Sequence, residues 1–151
     1  MPTECIPYQD TNYFTKIILD YLAQKEEIRP FYHRFPELEN FGKQLEEKSS
    51  FPQEHREILA QSLRKQYEEL ETSEATAENI TALSDSNTFT VVTGHQLNLF
   101  TGPLYFLYKI VSTINTTRIL KKQYPAHHFV PVYWMATEDH DFEEIAFFNL
   151  H

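Results

Sequence analysis

Two short polar clusters hold the residue types that could do chemistry. The first is Thr93-Gly94-His95-Gln96, at the head of a nine-residue segment, GHQLNLFTG, bracketed by Gly94 and Gly102. Histidine changes charge near neutral pH, so His95 could donate to an anion or serve as an acid or base. The plain alternative is a turn histidine bonded to the backbone. The second cluster is Thr137-Glu138-Asp139-His140-Asp141. Its acids and imidazole could hold a substrate amine, act as a base or bind a metal, or simply form a solvated acidic loop. In extended chain Glu138 and His140 face one way and Asp139 and Asp141 the other, so half the cluster meets a given ligand. His95, His140 and one carboxylate are suitable metal donors by type, but no HExxH or similar spacing joins them, and no held metal is predicted.

The chain has only three glycines, and two of them flank the first cluster. Gly94 is expected either to take a φ that other residues resist or to let a ligand approach the backbone. Gly102, with Thr101 as the expected cap of a following helix, would leave free N–H groups and a positive dipole end suited to phosphate or carboxylate. The segment lacks the Lys-Ser/Thr pair of a P-loop and the third glycine of a dinucleotide fingerprint.

The elements that must position these clusters can be read from periodicity. Thr88 to Thr93 is β-branched and aromatic, bounded by Asn87 and Gly94, and reads as a strand. Leu104 to Tyr124 has no internal Gly or Pro and lies between Pro103 and Pro125, which predicts a helix of about six turns. Its first half, LYFLYKIV, is apolar nearly all round and is expected to be sandwiched. Phe129 to Trp134 reads as a second strand, with Pro131 favouring an edge. Strand, helix and strand make a βαβ unit, whose crossover sets the strands parallel. Ligands of open parallel sheets bind outside the carboxyl ends of the strands. Both clusters follow such ends, so they should share one rim, with Thr93 and Trp134 among the binding residues.

Residues 1–86 read instead as a helical segment, with 87–151 as the first part of an α/β core. Phe14, Ile17, Ile18, Tyr21 and Leu22 keep helical spacing and predict one buried face. Pro36 can open a second helix with Leu38, Phe41 and Leu45 inside, weakened by Gly42. Ser50, Pro52 and Gln53 form a capping-box start for a helix with Ile58, Leu59, Leu63, Tyr67 and Leu70 on one stripe. Thr72 to Leu83 is a short helix or loop.

Composition bounds the functions. The 151 residues carry 13 Lys and Arg against 22 Asp and Glu, a net charge of −9, with no basic stretch, so nucleic acid is a poor partner. No apolar run approaches the ~20 residues of a membrane span, and the N-terminus is not that of a secretory signal. Cys5, the single cysteine, has no partner for a disulfide, which fits a reducing, cytoplasmic setting. With no nearby His, it is not expected to be a nucleophile. His33, His55, His127, His128 and His151 lack clustered partners and are expected in ordinary surface or packing roles.

VVTGHQLNLFTGPLYFLYKIVSTIN followed by FVPVYWMATEDHDFEEI closely resembles the N-terminal part of the bacillithiol-biosynthesis cysteine-adding enzymes, a family of cysteine ligases. DYL, RPFYHRFP and TFT look like the same family, so the resemblance covers nearly the whole chain. It implies a Rossmann-like core related to class I nucleotidyl-transferring folds, with inserted helical parts and a long coiled coil. The implied reaction joins cysteine to glucosaminyl-malate, with ATP or another nucleotide as the implied cofactor. The implied partners are these small molecules, and a homodimer of the full-length enzyme is compatible with the resemblance. Gly94, His95 and Gln96 would stand where the related superfamily has its phosphate-handling histidine motif. Thr101 and Gly102 would shape the same pocket, and Glu138, Asp139, His140 and Asp141 would line its other wall. His95, Asp139 and His140 are the catalytic candidates. The family's members run to several hundred residues, so this chain is expected to be their N-terminal portion, inactive alone, with the coiled coil in the remaining part. It departs from the family at Ala146, near which a polar residue, often Asn, is expected.

Two other readings stand beside this one. A non-catalytic fragment or interaction module would associate through uncovered apolar faces. A metal-dependent hydrolase using His95 and the acidic cluster would hold stoichiometric metal.

Overall fold

A computed structural model describes residues 4–96, 98, 102–139 and 147. The chain divides into two compact units, Met1–Lys43 and Gln44–His151.

In the first unit, a 3-10 turn at Tyr8–Thr11 precedes helix α1, Lys16–Leu22, and a second 3-10 turn spans Glu26–Phe31. Tyr21 packs edge-on against Tyr32 at 5.0 Å between ring centroids and tilts against Phe35 at 5.1 Å. Asp20 is buried and paired with Lys16 and with Lys25, the latter at 2.6 Å. The apolar face expected to be buried here is not: Phe14, Ile17, Ile18 and Leu22 are all exposed. The helix begins at Lys16, two turns in length, so Phe14 precedes it and pairs with Tyr8 instead.

Helix α2, Leu38–Lys48, crosses the division and buries Leu45. The second unit continues with α3, Gln53–Tyr67, and α4, Glu74–Ala82, then β1, Thr88–His95, α5, Leu104–Gln123, and β2, His128–Met135. The capping box does not form. Pro52 occupies the N-cap position, Ser50 Oγ donates to the Glu47 carbonyl, and Gln53 Nε2 donates to the Ser84 carbonyl at 2.8 Å. The buried residues of α3 are Arg56 and Ala60 rather than the apolar stripe, of which Ile58, Leu59, Tyr67 and Leu70 are exposed. Arg56 Nη1 donates to the carbonyls of Thr88 at 2.8 Å and Asp85 at 3.1 Å, and its guanidinium lies over the Phe51 and Phe89 rings. A helix rotated to satisfy those two carbonyls cannot also bury Ile58. The α4 start, by contrast, is capped in the usual way, Ser73 Oγ accepting from the Thr76 N–H.

β1 and β2 pair in parallel, from Thr88 opposite His128 to His95 opposite Met135. Pro131 sits opposite Val91 in this two-stranded sheet, where an edge is available for a residue without an N–H. The crossover helix α5 buries Thr113, Thr117 and Leu120. Small hydroxyl side chains can lie there because each donates to a helix carbonyl, Thr113 to Lys109 and Thr117 to Ile114. Ala60, Leu83 and Val130 form the core, with Leu63 and Val132 packed against it. Lys121 Nζ donates to the carbonyls of Pro125 and His127, fixing the turn into β2. The first half of α5 is not sandwiched: Leu104, Tyr105, Leu107, Tyr108 and Val111 are exposed, since among the described residues only one layer lies against the helix.

Candidate functional site

The carboxyl ends of β1 and β2 lie side by side, with Thr93 opposite Tyr133, Gly94 opposite Trp134 and His95 opposite Met135. Strand alternation then divides the rim into two faces. Thr93, His95 and Tyr133 lie on the face that α5 packs against, as the 5.5 Å edge-on contact of Phe106 with Tyr133 shows. Trp134 projects from the other face, where its indole N–H donates to Glu138 Oε1 at 3.3 Å.

His95 is held at both ring nitrogens. Nδ1 lies 3.0 Å from the Gln96 carbonyl and 3.0 Å from Asn98 Nδ2, and Nε2 lies 2.8 Å from the Tyr105 hydroxyl. The ring also stacks at a tilt on Tyr105, 5.3 Å between centroids, and meets Phe106 edge-on. Its backbone carbonyl accepts from Tyr133 Oη at 2.9 Å. Lys109, one turn beyond Tyr105 on α5, donates to the Gly94 carbonyl at 3.2 Å and lies over the Tyr105 ring. The rim therefore gathers an imidazole, an ammonium and a phenol beside the start of a helix, a donor set suited to an anion.

The glycines act differently from one another. Gly102 has φ +62°, and a Cβ there would lie 2.7 Å from Asn98 Cβ, so only a bare Cα fits against Asn98 just before α5. Gly94 has no positive φ. A Cβ at Gly94 would lie 3.0 Å from the Trp134 carbonyl oxygen and 3.1 Å from Trp134 Cβ, so its bareness serves the approach of the two strands.

Thr93, Gly94, His95 and Gln96 thus stand together at the end of β1, with Gly102 at the approach to α5. Trp134 and Glu138 form a second, bonded pair at the end of β2. Thr137–Asp139 is a 3-10 turn, so the extended alternation expected of the acidic cluster does not apply over those residues. Thr101, His140, Asp141 and Ala146 lie outside the described residues. Among the described residues no three His, Cys, Asp or Glu side chains come together as a metal site, and no helix is long and apolar enough to cross a membrane. Sequence reasoning missed Asn98, Tyr105, Lys109 and Tyr133. The helical spacing of Tyr105 and Lys109, four apart and starting three residues after Gly102, was the available signal for two of them.

A parallel strand–helix–strand unit with its polar residues at the strand ends defines a Rossmann-like α/β domain. The chain matches, over residues 1–151, the family described as Bacillithiol biosynthesis BshC, N-terminal Rossmann-like domain, and it belongs to that family. Relatives named "Putative cysteine ligase BshC" include one from Christiangramia forsetii, 66% identical over 100% of this chain and 28% of the relative. Another, from Flavobacterium johnsoniae, is 61% identical over 99% of the chain and 28% of the relative. A more distant one, from Desulforamulus reducens, is 33% identical over 93% and 26%. The chain spans about 28% of the length of the more similar of these relatives.

Proposed function

We propose that this domain supplies one wall of the active site of a cysteine ligase that joins cysteine to glucosaminyl-malate in bacillithiol biosynthesis, a cytoplasmic reaction. The observation that carries this reading is the register of β1 with β2, which sets His95 and the Trp134–Glu138 pair at one end of a parallel sheet. Membership of the BshC family supports the choice of substrates. The chemistry belongs to residues 87–151, with 1–86 as an N-terminal helical segment, and activity requires the rest of the enzyme.

Joining the cysteine carboxylate to the sugar amine forms an amide and removes the elements of water, so the carboxylate must first carry a leaving group. A nucleotide such as ATP supplies the phosphoryl or nucleotidyl group for that activation. Its anionic phosphates fit the groups present: Lys109 Nζ, the N–H groups at the start of α5 and the Tyr105 hydroxyl, with the His95 imidazole behind it. His95 stabilises charge that develops on the transferring group through its own positive charge when protonated, an effect that needs a fixed group, and its ring is fixed at both nitrogens. Gln96 and Thr93 border the same donors, and Gly94 and Gly102 keep the backbone close. On the other face Glu138, followed in sequence by Asp139, His140 and Asp141, holds the cysteine ammonium, and this acidic cluster takes the proton that the sugar amine loses as it attacks the activated carboxyl and displaces the phosphate or nucleotide leaving group. Asp139 and His140 act as catalytic residues. A substrate touching both groups lies across the end of β1.

Replacing His95 with Ala in the full-length enzyme and measuring thiol product tests this reading. Turnover should fall by about 10²–10³-fold, the usual cost of one fixed donor to a charged transition state. Unchanged turnover would remove His95 from the mechanism.

A further inference from the structure

The bonding of His95 presents a conflict at one nitrogen and a flexible partner at the other. The Gln96 carbonyl, 3.0 Å from Nδ1, can only accept, whereas Asn98 Nδ2, at the same distance, can only donate. These neighbours select opposite tautomers. The Tyr105 hydroxyl at Nε2 both donates and accepts, and so completes either one. In the neutral ring with its proton on Nδ1, that proton goes to the Gln96 carbonyl and Tyr105 donates to Nε2. With the proton on Nε2, Asn98 donates to Nδ1 and Tyr105 accepts. In the imidazolium, Gln96 and Tyr105 accept one proton each. No ring rotation is needed in any of the three states, and Asn98 keeps a bond to the Gln96 carbonyl at 2.8 Å throughout.

We propose that Tyr105 is the positioning residue for His95, holding the imidazole in one orientation while its charge and tautomer change during the ligase reaction. Tyr105 is suited to this by its anchoring. It stands in the first turn of α5, its ring stacks on the His95 ring at 5.3 Å, and the Lys109 ammonium lies over the Tyr105 ring, 5.6 Å from its centroid. Lys109 is itself tied to the Gly94 carbonyl, so the phenol, the ammonium and the end of β1 form one connected arrangement. The ring packing and the hydroxyl make separable contributions, which allows the hydroxyl alone to be removed.

The inference rests on the role given to His95 above, and the experiment separates the two. Tyr105→Phe in the full-length enzyme keeps the stacked ring and deletes the hydroxyl. We expect kcat to fall about tenfold, the equivalent of one lost hydrogen bond. KM should stay within about twofold and the melting temperature should be unchanged, a split that a loss of fold or of ground-state binding would not produce. In a His95→Gln background, the same substitution should have little further effect, because a residue that acts through His95 has nothing left to position. An unchanged kcat in Tyr105→Phe, or an equal loss in both backgrounds, would overturn the proposal. If His95→Ala lowers turnover while Tyr105→Phe does not, only this inference fails. If neither substitution lowers turnover, the role of His95 fails with it.

Discussion

Gly94 and Trp134 face each other across the paired strands so closely that a methyl group on Gly94 would lie 3.0 Å from the Trp134 carbonyl oxygen. The obstacle is partly backbone, which cannot swing aside as a side-chain tip can. Gly94→Ala should therefore push apart the strand ends that hold the two halves of the site, at a cost of about 1–3 kcal/mol, as for other overpacked positions. Denaturant unfolding of the full-length enzyme checks the stability. Turnover should fall as well, since His95 is the next residue. Wild-type stability and activity in this variant would mean that the strand spacing is not tight there.

Gly102 makes a different demand. Its φ of +62° disfavours any residue with a Cβ, and that Cβ would also meet Asn98 at 2.7 Å. Gly102→Ala should cost about 1–2 kcal/mol from the backbone conformation alone, and more with the contact. Because Asn98 lies against His95, the variant should lose activity more steeply than stability, read by comparing turnover with the melting temperature.

Arg56 is the buried tie between α3 and the start of β1. Removing it as Arg56→Ala leaves the buried Thr88 carbonyl without its side-chain donor, while the Asp85 carbonyl keeps the Thr88 N–H, and should cost about 1–3 kcal/mol. Arg56→Lys should recover only part of this, because a single ammonium cannot reproduce the planar group lying over Phe51 and Phe89. Equilibrium unfolding of the two variants side by side measures the difference.

The first unit has its own pH signature. Hydrogen bonds from Lys16 and then Lys25 hold the Asp20 carboxyl below its usual range, and Asp20 holds the Lys25 ammonium above its usual range. A carboxyl lowered in the folded state stabilises fully above its unfolded value of about 4, and that stabilisation is lost as pH falls through the lowered value. The Lys25 contribution is full below its unfolded value and is lost as pH rises through the raised one. The stability gap between the wild type and Asp20→Asn should therefore be constant near neutrality and close in acid. A gap independent of pH down to full protonation would contradict this.

Much of the second unit was legible because it depends on local order. β1, α5 and β2 fall within one or two residues of where β-branching, proline placement and the absence of breakers put them, and the crossover length dictates parallel pairing. Periodicity failed where one strong polar interaction competes with many weak apolar ones: Arg56 turns α3 so that Ile58 faces outward. It failed again for the first half of α5, since an all-apolar pattern says that a surface can be covered and not by what. The neighbours of His95 were hidden for a third reason. Tyr105 and Tyr133 are ten and thirty-eight residues away, and only the sheet register and the packing of α5 on the strand ends bring their hydroxyls to it. The alternation of Glu138 and Asp139 expected of an extended chain is replaced by a 3-10 turn at Thr137–Asp139, and the rest of the acidic cluster lies outside the described residues.

The most direct test is a structure of the full-length enzyme bound to glucosaminyl-malate, cysteine and a nucleotide. Ligand atoms should lie within hydrogen-bonding distance of His95 or Tyr105 on one face of the sheet and of Glu138 on the other, passing over the end of β1. Ligands seated elsewhere, with His95 and Glu138 both left to solvent, would contradict the assignment of this rim as the site of ligation.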